Sequence, residues 1–268
     1  MTATHQVEIQ GDSPRNAMSL LDRRATITTT VLLLVLAALA WFLTWRQAGG
    51  MMVADLTAPL FISMWLTMMV AMMFPTIAPM VLAHRMVVLK RGEGNLPTVV
   101  FVAGYLFIWT AVGLIPLVAL FAFQNAGPQL GLRWLEIAAG AALVVAGLYQ
   151  FTPWKSFCLK LCRTPMSFIL THDFGGGSLA AFKAGASHGL YCLGCCWALM
   201  AVLVIVGLMN LAWMAVVAVV FLTEKNLPYG PAVSRVVGAS VVALGLAVAT
   251  FPGLLAWLSG GMLPSGGM

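Results

Sequence analysis

The chain has 268 residues, of which 61% are hydrophobic and only 8% charged. Soluble globular domains carry charge on about a quarter of their residues, so this composition excludes an ordinary soluble enzyme and predicts an all-α, polytopic membrane helix bundle. The net charge of +6 does not call for nucleic acid, because the basic residues stand mostly in short loops between apolar runs, where membrane topology accounts for them.

Residues 1–26 are polar and mixed in charge, and lack the basic stretch and small-residue cleavage site of a removable signal peptide. They read as a cytoplasmic tail ahead of a membrane domain over 27–257. Seven apolar runs in that domain predict about seven transmembrane helices. The first, 28–44, is rich in Leu, Val and Ala and ends at Trp41 and Trp45, as an interfacial aromatic belt would. The second, 57–83, holds Met64, Met68, Met69, Met72 and Met73. Met64, Met68 and Met72 recur every four residues and share one helical stripe. Methionine is a common core filler, but this density also makes the three candidate thioether ligands for a soft metal. Pro75 should kink the helix just beyond them. The third run, 97–123, and the fourth, 134–151, are punctuated by small residues that let helices approach closely in lipid. Glu136 stands at the outer end of the fourth, where reaching water is cheap.

The stretch 152–184 reads as the one long polar loop, on the cytoplasmic side. It contains Cys158 and Cys162, four residues apart, so a short helix would put both sulfurs on one face among Lys155, Lys160 and Arg163. A metal-relay or redox role and simple packing both fit this pair. Gly175, Gly176 and Gly177 lack the lysine and hydroxyl residue that end a phosphate-binding loop and read as a hinge.

The fifth run, 185–207, concentrates the chemistry. His188, Cys192 and Cys196 follow one another at four-residue intervals on a single stripe, with Cys195 beside them. Imidazole and thiolate are the donors that select Cu(I) or Zn(II) over Mg(II) and Ca(II). Three of the chain's five cysteines lie in this segment, and an odd total cannot all pair within one chain. The sixth run, 211–223, is short for a full span and is followed at once by Glu224 and Lys225; the seventh covers 232–257, ahead of a Gly-rich tail at 258–268.

The segment His188-Gly-Leu-Tyr-Cys192-Leu-Gly-Cys195-Cys196-Trp197, with Gly207-Leu-Met209-Asn210 and Glu224-Lys225 after it, resembles a bacterial family of unknown function described as predicted metal-binding integral membrane proteins. The runs from Met64 to Pro75 and from Tyr149 to Cys158 are similar to that family as well, so the resemblance covers roughly residues 55–250. It implies a multi-pass protein of the bacterial inner membrane that binds metal, and asserts no reaction.

All fourteen basic residues bear on orientation. With the N-terminus inside, Arg15, Arg23, Arg24, Arg85, Lys90, Arg91, Lys155, Lys160, Arg163, Lys183, Lys225 and Arg235 fall on the cytoplasmic side and only Arg46 and Arg133 outside, which predicts a cytoplasmic N-terminus and an external C-terminus. The second and fifth helices are then antiparallel, and His84, Cys158, Cys162, His172 and Glu224 surround an inner mouth. Neither helix contains a carboxylate, which disfavours hard divalent ions. Two thiolates and one Cu(I) leave a charge of −1 by addition, so Cu(I) is the first choice and Zn(II) or another thiophilic metal the second.

The leading expectation is therefore a membrane metal-handling protein that transports a soft ion or hands it to a donor or acceptor protein. A membrane thiol oxidoreductase and a structural assembly subunit are the alternatives. No phosphate-binding loop and no sizeable soluble domain supports nucleotide use.

Overall fold

The computed structural model describes residues 14–48, 57–126, 131–165, 168, 177–207 and 210–259. These residues form helices and no strand: α1 (Pro14–Ala48), α2 (Ala58–Lys90), α3 (Leu96–Ala126), α4 (Leu132–Tyr149), α5 (Pro153–Arg163), α6 (Gly177–Val206), α7 (Leu211–Asn226), α8 (Gly230–Thr250) and α9 (Leu254–Leu258). Five are long and apolar enough to cross a membrane, namely Arg23–Ala48 in α1, α2, Leu96–Ala122 in α3, α6 and α8; α4 and α5, bent by 61° at their junction, pass together as a sixth. α7 has 16 residues, short of the roughly 20 that span a bilayer.

Local chemistry sets the boundaries. Asn210 caps α7 by accepting from the backbone N–H groups of Ala212 and Trp213. The single last run expected over 232–257 is instead broken into α8 and α9 at Gly253, whose φ of 79° lies in the left-handed region that glycine tolerates best. The helix expected from 28 begins at Pro14, inside the segment read as a tail. Pro75 and Pro79 both lie within the continuous α2.

Three helix pairs carry most of the packing: α3 along α6, α4 along α8, and α1 along α2. Glycines explain the first two. On α6, a Cβ at Gly185 would fall on the Phe101 carbonyl, and one at Gly189 would sit 3.0 Å from Ile108. A Cβ at Gly140 would lie 2.7 Å from the Gly245 carbonyl oxygen, and one at Gly147 2.8 Å from that of Gly238. Both glycine pairs repeat at a seven-residue interval in opposite chain directions, so α4 and α8 meet backbone to backbone along an antiparallel seam. Glu136 does not reach outward as expected. It is buried, accepts a hydrogen bond from the Gly253 N–H at 2.6 Å and so ties the start of α4 to the break after α8.

The interior is the polar part. Lys155, Glu224, Lys225, His84 and His188 are buried, while Leu32, Leu39, Phe107, Ile115, Val118 and Val236 are exposed. An apolar exterior around ionisable side chains is the pattern a lipid environment demands.

The stretch expected to be a polar loop supplies α5, and three contacts fix it. Thr152 caps its start through Lys155 N–H. The Lys155 ammonium donates to both carboxylate oxygens of Glu224 at 2.9 Å and also to Gln150 Oε1. Arg163 Nη2 donates to the carbonyls of Leu227 and Pro228 at 2.6 and 3.3 Å, just past the end of α7, where cations are favoured.

Two expectations about stability follow from these contacts. Gly185→Ala should lower stability by about 1–3 kcal/mol, since the obstructing atoms are backbone, whereas Gly94→Ala, with open space around it, should stay within about 0.5 kcal/mol of wild type. Thermal unfolding in one detergent compares them, and equal midpoints would contradict the close approach of α3 and α6. For the ion pair, Glu224→Gln should cost about 3–5 kcal/mol by stranding the Lys155 charge, and joining it with Lys155→Met should recover most of that loss. A double variant no more stable than Glu224→Gln alone would mean that the pair does not act as a unit.

Candidate metal centre

Cys192, Cys195 and Cys196 lie halfway along α6, and their sulfurs are all within 4.8 Å of one another. All three side chains are buried, and all five cysteines are free thiols. Cys195 Sγ is 3.4 Å from Cys196 Sγ and 3.8 Å from Cys162 Sγ across on α5. Metal–thiolate bonds of about 2.3 Å set sulfurs about 3.8 Å apart in tetrahedral and about 4.6 Å apart in linear coordination. The 3.4 and 3.8 Å separations lie near the tetrahedral value, and the 4.8 Å limit on the group admits the linear one, so the three sulfurs are close enough to share one soft ion.

The sequence folds this way because helix period and glycine placement cooperate. Cys192, Cys195 and Cys196 occupy i, i+3 and i+4, one face of one turn. Gly194, between them, leaves room for α5, since a Cβ there would approach Cys158 Sγ to 2.5 Å. Tyr149 closes the same edge by donating its hydroxyl to the Gly194 carbonyl at 2.6 Å. Cys158 thus rests over Gly194, and Cys162, one turn further on, reaches Cys195.

Cys192 has two polar neighbours besides the thiols. Tyr105 Oη on α3 and Lys225 Nζ on α7 each stand 3.1 Å from its sulfur. Lys225 is 6% exposed and Cys192 0%. The ammonium also approaches Thr76 Oγ1 at 3.4 Å and Met73 Sδ at 3.8 Å on α2, and the Phe221 ring at 5.7 Å from its centroid. An ammonium touching a sulfur is a built-in counter-ion for a thiolate. With the sulfur ionised the two form a neutral unit, which avoids the several kcal/mol that either lone charge would cost in an apolar surround. Cys192 and Lys225 each stand fourteen residues (206 − 192; 225 − 211) from the ends of α6 and α7 that face each other across their connection. At 1.5 Å per residue both are about 21 Å from that connection, which explains why they meet.

The structure distributes the expected site residues unequally. Cys192, Cys195 and Cys196 form the compact group, with Cys162 at its edge and Cys158 beside it. His188, expected as a fourth ligand from the same stripe, lies outside that group and sits among aromatic rings, 5.4 Å from Phe168, 5.9 Å from Tyr105 and 6.2 Å from Phe101 between centroids. Met64, Met68 and Met72 are buried in the core. Their helix packs on α1, α3 and α7 rather than along α6, so the expected facing of a methionine helix and a cysteine helix is not found. The connection between α2 and the cysteines instead runs through Met73 and Lys225. His84 is buried, packs on Phe101 at 4.6 Å and contacts Thr98; His172 lies outside the described residues.

Tyr105, Lys225, Met73 and Thr76 were not singled out as site residues from the sequence. A signal existed for two of them. Lys225 is a charge directly after an apolar run, and Tyr105 is a hydroxyl in the middle of one; neither reveals its partner without the tertiary structure.

A family model for PpoB2, described as a copper chaperone, matches residues 62–248. No curated protein and no solved structure matches the chain. The matched span is more than half of the 268 residues and contains all five cysteines, Tyr105 and Lys225, so the chain belongs to the PpoB2 copper chaperone family.

Proposed function

We propose that this protein is an integral membrane copper handler that holds Cu(I) through Cys192, Cys195 and Cys196, with Cys162 as the exchange partner, and passes the ion to an acceptor protein. The observation that carries the reading is the group of three buried sulfurs within 4.8 Å, and the copper chaperone family supports the choice of metal. Charge supports it too. Cu(I) with two thiolates leaves −1, and Lys225 beside Cys192 brings the sum to zero. Zn(II) would need a third thiolate for the same neutrality.

Cys162 suits an exchange role because its sulfur comes from another helix, α5, and stands 3.8 Å from Cys195 Sγ. A three-sulfur centre can pass through a state in which Cu(I) is shared between α6 and α5, the ion never leaving soft donors. Met64, Met68 and Met72 remain candidates for a thioether path, and His188 for an outer ligand reached by rotation toward the cysteines. In this reading α1–α4, α6, α7 and α8 are the seven crossings, α5 lies against the bundle on the cytoplasmic side, the N-terminus is inside and the C-terminus outside, in a bacterial inner membrane. The 3.8 Å separation of Cys195 and Cys162 also favours a second reading, a thiol–disulfide exchanger in which these two sulfurs pair.

Purified wild type, expressed with ample copper and kept reduced, should retain about one equivalent through a mild oxygen-ligand chelator, because thiolates outcompete oxygen donors for Cu(I). Cys192→Ser combined with Cys196→Ser should abolish retention, while Met68→Leu or Met72→Leu should preserve most of it. A wild type free of metal, or a double variant as loaded as the wild type, would refute the copper site; a stable Cys162–Cys195 disulfide found by thiol counting would then favour the exchanger. Orientation is tested with reporters. One that works only in the cytoplasm should be active in the 90–95 loop, and one that works only outside should be active after Met268. The opposite pattern would place the α4–α5 side outside.

A further inference from the structure

On another face of α5 from Cys158 and Cys162 opens a cavity of about 270 Å³, lined chiefly by Gln150, Lys155, Lys160, Arg163, Ser234 and Arg235 and by no carboxylate. Lys155 is already balanced by Glu224, which leaves Lys160, Arg163 and Arg235 without a carboxylate partner among the described residues. Two buried donors in this lining, Gln150 Nε2 and Arg163 Nη1, have no hydrogen-bond partner among the described residues. The amide of Gln150 is oriented by its Oε1, which accepts from Lys155, so its NH₂ is the group left over. Gln150 is itself 2% exposed, and buried donors of this kind normally have an acceptor.

Paired guanidinium and ammonium groups with unanswered N–H donors match the several acceptor oxygens of a phosphate. The surroundings add a second signal. Phe151 lines the cavity; Trp154 and Phe157 on α5 and Tyr229 ahead of α8 are exposed at 76%, 61% and 74%. Aromatic rings of this exposure beside cations are characteristic of the membrane–water boundary.

We infer that this cavity is a phosphate-binding site, placed to take the headgroup phosphate of an anionic phospholipid, with Arg163, Arg235, Lys160 and the Gln150 amide as its donors. The site is separate from the sulfur cluster but shares α5 with it, so its occupant bears on the helix that carries Cys158 and Cys162.

The test uses the full chain. Phosphatidylglycerol binding is measured in phosphatidylcholine nanodiscs by native mass spectrometry, and inorganic phosphate binding by calorimetry in zwitterionic detergent. Lys160→Gln with Arg235→Gln alters two exposed side chains and should weaken binding about tenfold; the charge-matched Lys90→Gln with Arg91→Gln should leave it unchanged. Loss of phosphatidylglycerol retention in the first variant alone identifies the lipid as the source. Loss of inorganic phosphate binding in the first variant, with no preference for phosphatidylglycerol, supports the site with a free ion as its source. If neither probe binds the wild type, or if the control variant weakens binding as much, the site does not exist and only diffuse surface charge remains.

Discussion

Two consecutive charges at the end of α7, Glu224 and Lys225, must be neutralised inside an apolar bundle, and the surrounding helices are arranged to do it. Glu224 meets Lys155 at 2.9 Å, worth about 6 kcal/mol at an effective dielectric near 20. That attraction opposes a desolvation cost of several kcal/mol for each ion, so either charge left alone would be strongly destabilising. Lys225 turns the other way and meets Cys192. One dipeptide thus holds α5 in place and lays a cation against the sulfur cluster. Were α7 a turn longer or shorter, neither contact could form.

Glycine decides how closely the scaffold brings these groups together. The α3–α6 approach depends on Gly185 and Gly189, and places Tyr105 against Cys192. The α4–α8 seam depends on Gly140, Gly147, Gly238 and Gly245, and holds Tyr149 and Gln150 where α5 begins. Gly194 lets α5 lie on the cysteine turn. Such close backbone contacts fix the register of packed helices, and they are the kind that holds apolar helices together in lipid, where no water-driven burial does so.

The resulting centre combines soft donors, burial and one compensating cation. Thiolates in an apolar interior are costly unless their charge is balanced, and Lys225 stands 3.1 Å from Cys192 Sγ, where it can balance one. A monovalent soft ion can then join two thiolates without leaving net charge behind. Donor type and charge together suit a soft metal such as copper.

Much of this was legible in the chain itself. Apolar runs and rare charges give the helical character and the apolar centre of most helices, because a long apolar stretch satisfies its backbone hydrogen bonds best within itself; the ends are less legible, since α1 begins fourteen residues before the expected 28 and α6 eight before 185. The spacing of Cys192, Cys195 and Cys196 gives their common face, because that depends only on the 3.6-residue period. The sequence also suggests that Cys158 and Cys162 could share a helix face. What it cannot express is which helix lies against which: α2 was expected beside α6, yet the cysteines are reached by α3, α5 and α7, through Tyr105, Cys162 and Lys225. His188 shares the stripe of its cysteines, yet its ring packs among aromatic partners supplied by α3 and by Phe168. Glu136 reads as a surface acid and is buried because Gly253, distant in sequence, offers it an N–H. Local periodicity determines the faces of each helix, whereas the pairing of faces depends on contacts between residues far apart in the chain, and only the tertiary structure decides those.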